Sequence, residues 1–560
     1  MHNRRRPDEP YLRYYSLGGL GEVGMNCAVF ESDDRMIIVD CGVTFPESLH
    51  YGIDLIIPDF TPLVEQADRI EALIITHGHM DHIGAVPYLL RVLNVPVYAP
   101  AMAIELLRGM LHEHHLLDDA KLHVVDQDTT LELGPFTIEF PQVNHSIPHA
   151  HGLAIRTDAG LFVHTGDFKI DDHAIDEAPF DRARFERYGN QGVRALFSDS
   201  TNVEVAGWSR SERDVRDALL QTIQEQTGRV FVGLFSSNVT RLHSLLLAAE
   251  ATGRSVVLLG RSVQSTLHAA ERAGALTIPS GVHITDIESI REHEDHELLF
   301  LCTGTQAEPR AALTRLATEN YRGLRFKEGD TVMFSSRTIP GNEQWVYQLY
   351  DRLARQNVNV ITPDDAPIHA TGHGYQEELA EMIRLVRPQT MVPVHGDHRF
   401  QQKHARLSAS LGVKRQHVLD NGQVLQFTAD DSRVVATFDA GRLLLDGTIF
   451  DAIEGEAFRQ RRQIARAGLV WVSLLIDRDT LSPLDAAEIL NLGAYAEDRE
   501  EGEEALEAVH STIERTWRKL SHSTKHNEEE AAEALRIAVR KQLTRVLKRR
   551  PFVVARVQLV

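Results

Sequence analysis

Short strands set the rhythm at the start of the chain. Tyr11 to Leu17 reads as a strand that runs into the glycine-rich Gly18-Gly19-Leu20-Gly21-Glu22-Val23-Gly24. Cys27 to Phe30 and Arg35 to Val39 read as a strand pair across a polar turn. Glu71 to Thr76 is another short apolar strand, ending at a histidine cluster, and Val86 to Leu93 has helical apolar spacing. Strand signals recur at Val95 to Tyr98, Phe136 to Phe140, Leu153 to Arg156 and Leu161 to His164.

From about Thr201 the pattern changes. Helix-length amphipathic segments alternate with short apolar strands: Val215 to Gln226, Arg229 to Gly233, Val239 to Ala251, Ser255 to Leu259, and on to Thr331 to Phe334. Such alternation predicts an α/β unit with a parallel sheet. Histidines return at His369 to His373 and at His395, so the chain is expected to leave a first domain, build an inserted one, and come back. Beyond about Asp451 the order reads strand (Leu469 to Ile476), helix (Pro483 to Leu492), an acidic helix near Glu497 to Glu507, a basic helix (Glu528 to Leu547) and a strand (Phe552 to Val560). The expected division is 1–203 and 365–450 for the two parts of the first domain and 204–364 for the insertion. A linker over 451–465 and a small α+β domain over 466–560 complete it.

Composition narrows the class. With 560 residues, 43% hydrophobic and 25% charged, this is ordinary globular protein with room for two or three domains. Only Cys27, Cys41 and Cys302 are present, with no C-x-x-C pair, so neither a disulfide frame nor a thiolate zinc site is suggested, and a reducing cytoplasm fits. Met1 to Pro10 is polar and basic and does not read as a signal peptide. Apolar runs such as Leu469 to Ile476 are too short to span a bilayer, so no membrane partner is expected. A net charge of −21 argues against a protein that coats nucleic acid, but not against one that grips phosphates locally. The unusual feature is 28 histidines, many in short clusters with aspartate.

The strongest of these is His77-Gly78-His79-Met80-Asp81-His82, at the end of a strand and before a helix. Four such side chains in six residues cannot all face one ion. His77 and His79, at alternate positions of an extended backbone, can point the same way, while Asp81 and His82 lie past the turn and can reach a second ion. Imidazole and carboxylate suit zinc and accept manganese.

This H-x-H-x-D-H string is the signature of the metallo-β-lactamase superfamily, and the rest of the chain resembles that pattern in order. The resemblance implies an α/β fold: an αββα sandwich with a β-CASP α/β insertion and a small C-terminal α+β domain. It makes Asp40 the carboxylate that orients the metal ligands from behind, His145 a ligand, and Asp167, in His164-Thr165-Gly166-Asp167, the carboxylate bridging both metals. The β-CASP nuclease branch adds three motifs, matched by Asp199, His373 and His395, the last completing the ligand set. Within that branch the chain resembles the bacterial ribonuclease J family nearly end to end. Gly18 to Gly24, Leu301 to Gln306, Ser335 to Glu343 and the C-terminal domain carry this likeness. A dinucleotide loop is the weaker reading of the glycines, since no βαβ unit surrounds them.

The resemblance implies hydrolysis of single-stranded RNA with two divalent ions, zinc first, with manganese an alternative at one or both sites. His77, His79, His145 and Asp167 would hold one ion, and Asp81, His82, Asp167 and His395 the other. His373, oriented by Asp199, is the candidate general acid, with hydrogen bonding to the phosphate its plainer alternative. Ser236, Ser237 and Asn238, before a helix, and His369, Ala370, Thr371, Gly372 and His373 are the candidate phosphate cradle. Simple helix capping is the alternative for the serines. Arg337 and the Gly304 loop are weaker candidates for lining the channel. In this family such a cradle serves 5′-to-3′ exonuclease action on 5′-monophosphate ends, releasing nucleoside 5′-monophosphates, with some internal cleavage, in RNA maturation and decay. A cytoplasmic homodimer or homotetramer and partners in an RNA-degradation complex are implied too. Arg540, Lys541, Arg545, Lys548, Arg549 and Arg550 could touch RNA, although a solvated helix face is the simpler reading. The competing functions are a β-CASP nuclease acting on DNA or only internally on RNA, a small-molecule hydrolase, and an inactive scaffold in an RNA-decay assembly. The insertion speaks against the second and the complete ligand set against the last.

Overall fold

A computed structural model describes residues 9–46, 50–318, 321–339, 341–447, 449–452 and 455–560. Most of the N-terminal stretch read above as lacking a signal peptide, Pro340 of the Ser335 to Glu343 stretch, and residues 453 and 454 of the expected linker lie outside them. The chain divides into two compact units, 1–44 with 57–441 and 45–56 with 442–560.

In the larger unit two sheets face each other. The first has eight strands, with Leu12–Gly18, Cys27–Ser32, Arg35–Val39 and Ile70–Ile74 side by side. The second has seven, with Gly160–His164, Val193–Asp199 and Thr390–Val394 adjacent. Alternation sends Tyr14, Phe30 and Ile37 of one sheet and Ile138, Phe162, Phe197 and Val392 of the other into one shared core. Helices Arg182–Gln191 and Gln376–Val386 cover the outside of the second sheet through Phe185, Tyr188, Leu379 and Ile383. Ala101–Glu113 packs on the outer strands of the first. This is an αββα sandwich. Strand Thr390–Val394, nearly 200 residues after its neighbour, pairs with Val193–Asp199 in parallel register, Asp199 opposite Val394. Strand pairing thus brings the late histidine motif back beside the early ones.

Between them stands a five-stranded parallel sheet in the order Ser255–Leu259, Leu298–Cys302, Val230–Gly233, Thr331–Phe334, Asn359–Ile361. Val230–Gly233 is buried along its whole length, which is why it reads as a continuous apolar run. Helix Val239–Thr252 follows it, with Leu242, Leu245, Leu246 and Ala249 on the buried stripe and Gly253 in the left-handed region closing its end.

The smaller unit has a three-stranded sheet, Glu488–Leu492, Leu469–Ile476 and Phe552–Leu559, packed on helices Glu500–Lys519 and Glu528–Leu547. Here one expectation fails. Pro483 to Leu492 was expected to be helical, but Glu488–Leu492 is an edge strand, with Ile489 opposite Val472. Its Ala, Glu and Leu favour a helix in isolation. The ladder offered by a ready-made strand edge outweighs that preference. The stretch 451–465 also differs from the expected linker, since helix Glu456–Ala467 covers most of it. Among the described residues no helix is long and apolar enough to cross a membrane.

Candidate metal centre

The loops at one edge of the sandwich build the site. Strand Ile70–Ile74 delivers Thr76 and His77, and His79 then stands at the start of the one-turn helix Met80–Ile83, which turns Asp81 and His82 back toward the cluster. Asp40 follows Arg35–Val39 with φ 61, and His395 follows Thr390–Val394 with φ 51. Two non-glycine residues held in the left-handed region mark a site that the surrounding fold over-determines.

Seven expected ligands converge in two groups that share Asp167. In the first, His79 Nδ1 lies 3.2 Å from His77 Nε2 and 3.0 Å from His145 Nε2, and Asp167 Oδ2 lies 3.7 and 3.8 Å from those two Nε2 atoms. In the second, Asp81 Oδ2 lies 3.6 Å from His82 Nε2 and 3.1 Å from His395 Nε2, which are 3.2 and 3.7 Å from Asp167 Oδ2. Tetrahedral ligands about 2.1 Å from zinc sit about 3.4 Å from one another. The spacing therefore fits two such ions with Asp167 between them. Asp167 has only 3% of its side chain exposed and Asp81 has 28%, so Asp81 stands on the solvent side.

Several of the rings are aimed from behind. Asp40 Oδ1 accepts from the Thr76 amide at 2.8 Å, while its Oδ2 lies 2.8 Å from His82 Nδ1. Thr76 Oγ1 lies 3.0 Å from His77 Nδ1. His145 Nδ1 donates to the Gly372 carbonyl at 2.6 Å, leaving Nε2 for the cluster. A Cβ at Gly372 would fall 2.7 Å from His145 Cε1, so only glycine fits. The glycine-rich start is also explained: the Gly19 carbonyl, at φ 90, accepts from the His395 amide at 3.0 Å.

Burial holds His77 and His145 well below the usual imidazole range and His79 at about 4, which keeps them neutral as ligation requires. His82 and His395 are buried too, but neighbouring carboxylates, Asp167 foremost, outweigh burial and raise both. Asp167 is held well below the carboxylate range against the opposing effect of burial, by His395, His82 and His373. Such strong mutual perturbation suits a cation site.

His373 and Asp199 stand beside the cluster. His373 Nδ1 is 2.7 Å from Asp199 Oδ2, and its Nε2 is 3.9 Å from Asp167 Oδ2. These two residues also fall in a third cluster with Asp167 and His395. Their separation is that of a charge-assisted hydrogen bond, well inside the spacing of two ligands on one ion, so we read them as a pair.

The remaining candidates fall differently. Asn238, not either serine, caps helix Val239–Thr252, accepting from the Arg241 amide at 2.9 Å. Ser236 and Ser237 stay half-buried before it. Ala370 packs in the apolar core, and Thr371 Oγ1 accepts from the His373 amide at 3.1 Å and the Asn202 side chain at 2.9 Å, which builds the turn. Half-buried His369 has an Nδ1 sealed from solvent without a hydrogen-bond partner. Arg337 contributes its carbonyl to Gln306 Nε2 at 3.0 Å. The basic residues from Lys541 to Arg550 are exposed.

Sequence reasoning missed several supports. Arg241 is fully buried, pairs both carboxylate oxygens of Glu212 at 2.9 Å, and donates to the carbonyls of Ser335 at 3.0 Å and Ile368 at 3.2 Å. It ties the Ser236 loop to the segment before His369. Thr201 Oγ1 lies 2.8 Å from His395 Nδ1, and Asn26 Nδ2 donates to the Asp81 carbonyl at 3.1 Å. Nothing local in the sequence marks these residues; only Thr201, beside Asp199, stood next to a motif.

Comparisons with known proteins agree with this frame. The metallo-β-lactamase superfamily model matches residues 20–248, and the β-CASP domain of ribonuclease J matches 227–353. The Zn-dependent metallo-hydrolase RNA specificity domain matches 366–418, and the ribonuclease J C-terminal domain matches 456–559. Ribonuclease J of Corynebacterium glutamicum is 38% identical over 88% of this chain and 70% of its own length. Ribonuclease J 1 of Streptococcus pyogenes is 38% identical over 87% of both chains. A crystallised Enterococcus faecalis protein of unknown function superposes with TM-score 0.53 at 15% identity, covering 74% of this chain and 99% of its own, a likeness of fold alone. On identity and coverage together, the chain belongs to the ribonuclease J family.

Proposed function

We propose that this protein is a ribonuclease that hydrolyses single-stranded RNA mainly from the 5′ end, prefers a 5′-monophosphate, and releases nucleoside 5′-monophosphates. Some internal cleavage accompanies this, in RNA maturation and decay. The coarser part rests on family membership: a metal-dependent phosphodiesterase that acts on RNA. The observation that carries the reading is the pair of four-ligand groups meeting at Asp167, with the His373–Asp199 pair beside them.

His77, His79, His145 and Asp167 would hold one divalent ion and Asp81, His82, Asp167 and His395 the other, zinc first and manganese at one or both as the alternative. When bound, the ions supply an acidified water and offset charge on the phosphate. Asp199 holds His373 by Nδ1, so Nε2 is free to give its proton to the leaving 3′ oxygen. Against burial, Asp199 and Asp167 raise the His373 pKa, keeping the proton available. Ser236, Ser237 and Asn238, with His369 to His373, form the cradle for a terminal phosphate, and Arg241 keeps its two halves together. Asp40 sets the His82 ring.

We keep the division at 203/204 and 364/365 for the insertion and place self-association, as homodimer or homotetramer, in the C-terminal unit. A cytoplasmic setting and RNA-degradation partners belong to the same reading. The test uses internally labelled RNA with a 5′-monophosphate or 5′-triphosphate, beside DNA of the same sequence, with zinc, manganese or a chelator. Mononucleotides from the monophosphate RNA alone support the reading. Internal fragments irrespective of the 5′ end would replace it with an endonuclease, and no cleavage with either metal would remove it.

A further inference from the structure

The inserted parallel sheet has a second feature at its carboxyl edge, away from any ligand. A crevice of about 530 Å³ opens where Ser255–Leu259 and Leu298–Cys302 end, and four arginines line it: Arg261, Arg310, Arg315 and Arg322. All four are exposed. Among the described residues no carboxylate pairs with any of them. The neighbouring Glu308 turns back to accept from the Gln306 amide at 3.2 Å. Arg315 and Arg322 stand 5.2 and 5.9 Å from the centre of the Tyr321 ring. Helix Arg261–Arg272 begins at the rim, after Gly260, with no side chain capping its first turn.

In a chain of net charge −21, four cations gathered around one crevice reverse the local sign. Their mutual repulsion is relieved by a polyanion, and guanidinium is the group that grips phosphate in pairs of hydrogen bonds. In open parallel sheets, ligands settle outside the carboxyl ends of the strands. The same edge carries Ser236 to Asn238 at the end of Val230–Gly233, the strand next to Leu298–Cys302. Adjacent strands lie about 4.8 Å apart, so the crevice and that loop are within about 10 Å along the edge. Thr303 lines the crevice and opens the Gly304 to Gln306 loop that bonds Arg337.

We propose that this crevice is a second phosphate-binding site, taking backbone phosphates of an RNA strand beyond the nucleotides held at the metal centre. The proposal rests on the RNA reading above. It gives this acidic enzyme affinity for long strands without a basic surface, and because phosphate contacts are blind to the sugar, it acts on length and not on cleavage chemistry.

The test is the full-length protein carrying Arg261→Glu with Arg310→Glu, and a milder Arg261→Gln with Arg310→Gln. Among the described residues neither side chain has a hydrogen bond or ion pair to lose. Binding in chelator is followed by fluorescence anisotropy with RNAs of about 3 and about 20 nucleotides across a salt series, and hydrolysis of the short RNA is measured with zinc or manganese. The expected result for the charge-reversed protein is about tenfold weaker binding of the long RNA, with a salt slope smaller by about 1 to 2. The glutamine variant loses less, a long DNA strand loses a similar factor, and binding and cleavage of the short RNA are unchanged. Unchanged affinity for the long RNA in both variants would overturn the proposal. So would an equal loss at both lengths, which would place the arginines at the metal centre. If the wild-type protein cleaves neither RNA, the ribonuclease reading falls, while the anisotropy series still decides the arginine site.

Discussion

Asp40 shows how much of this centre depends on residues that need not touch an ion. Its two oxygens hold the Thr76 backbone and the His82 ring at once. Asp40→Ala is expected to weaken metal binding about 10- to 100-fold, measured by competition with a coloured chelator. Unchanged affinity would mean that Met80–Ile83 alone aims His82. Glu177 makes a different point. The residue is half-buried, but its Oε2 is sealed from solvent without a partner, while Oε1 accepts from Asn144 at 3.0 Å. Burial pushes its pKa up to about 8 from an ordinary value of 4.5. The folded state then keeps a proton that the unfolded chain gives up near pH 4.5, so stability is full below that pH and is lost as pH rises toward about 8. Each unit of that difference is worth about 1.4 kcal/mol. Glu177→Gln should flatten this decline, read from Tm between pH 5 and about 8.5. An unchanged slope would show that the carboxyl is solvated.

At the scale of elements, helix Val239–Thr252 carries the load that joins the insertion to the site. Its Arg241 is buried against Glu212 and caps the Ile368 carbonyl just before His369. Arg241→Met leaves the Glu212 carboxylate buried and unpaired, which is expected to cost about 3–5 kcal/mol in urea unfolding. Adding Glu212→Leu should recover much of that loss, since the pair itself contributes little beyond mutual compensation. A double variant as unstable as the single one would contradict this account. The strand Glu488–Leu492 teaches the converse. A segment with helical composition became a strand because the open edge of Leu469–Ile476 supplied hydrogen-bond partners that no local pattern records.

For the whole molecule, the two ions are expected to be both catalytic and structural. Candidate ligands from residues 77 to 395 meet at Asp167, so ion binding would link the early and late halves of the sandwich. Chelation should abolish RNA hydrolysis and lower Tm, and zinc at about a hundredfold over its Kd should restore about 3 kcal/mol. Loss of activity with an unchanged Tm would mean that the centre is preformed and that the ions act on chemistry alone.

The sequence by itself determined the candidate ligands. Imidazole and carboxylate at His77, His79, Asp81 and His82 form a dense local motif, and the order of Asp40, His145, Asp167, Asp199, His373 and His395 could be read without coordinates. The strands at Arg229 to Gly233, Ser255 to Leu259 and Thr331 to Phe334 and the helices at Val215 to Gln226 and Val239 to Ala251 were legible for the same reason, since their apolar periods are local. Only the tertiary structure decided what stands behind the ligands. Thr201 under His395, the Gly372 carbonyl under His145, and Arg241 between two loops are bonds across long separations, whose pairing no local period or motif records. The arginine crevice belongs with them. Arg261, Arg310, Arg315 and Arg322 are scattered over some sixty residues, and they become one site only because parallel pairing sets the ends of two strands side by side.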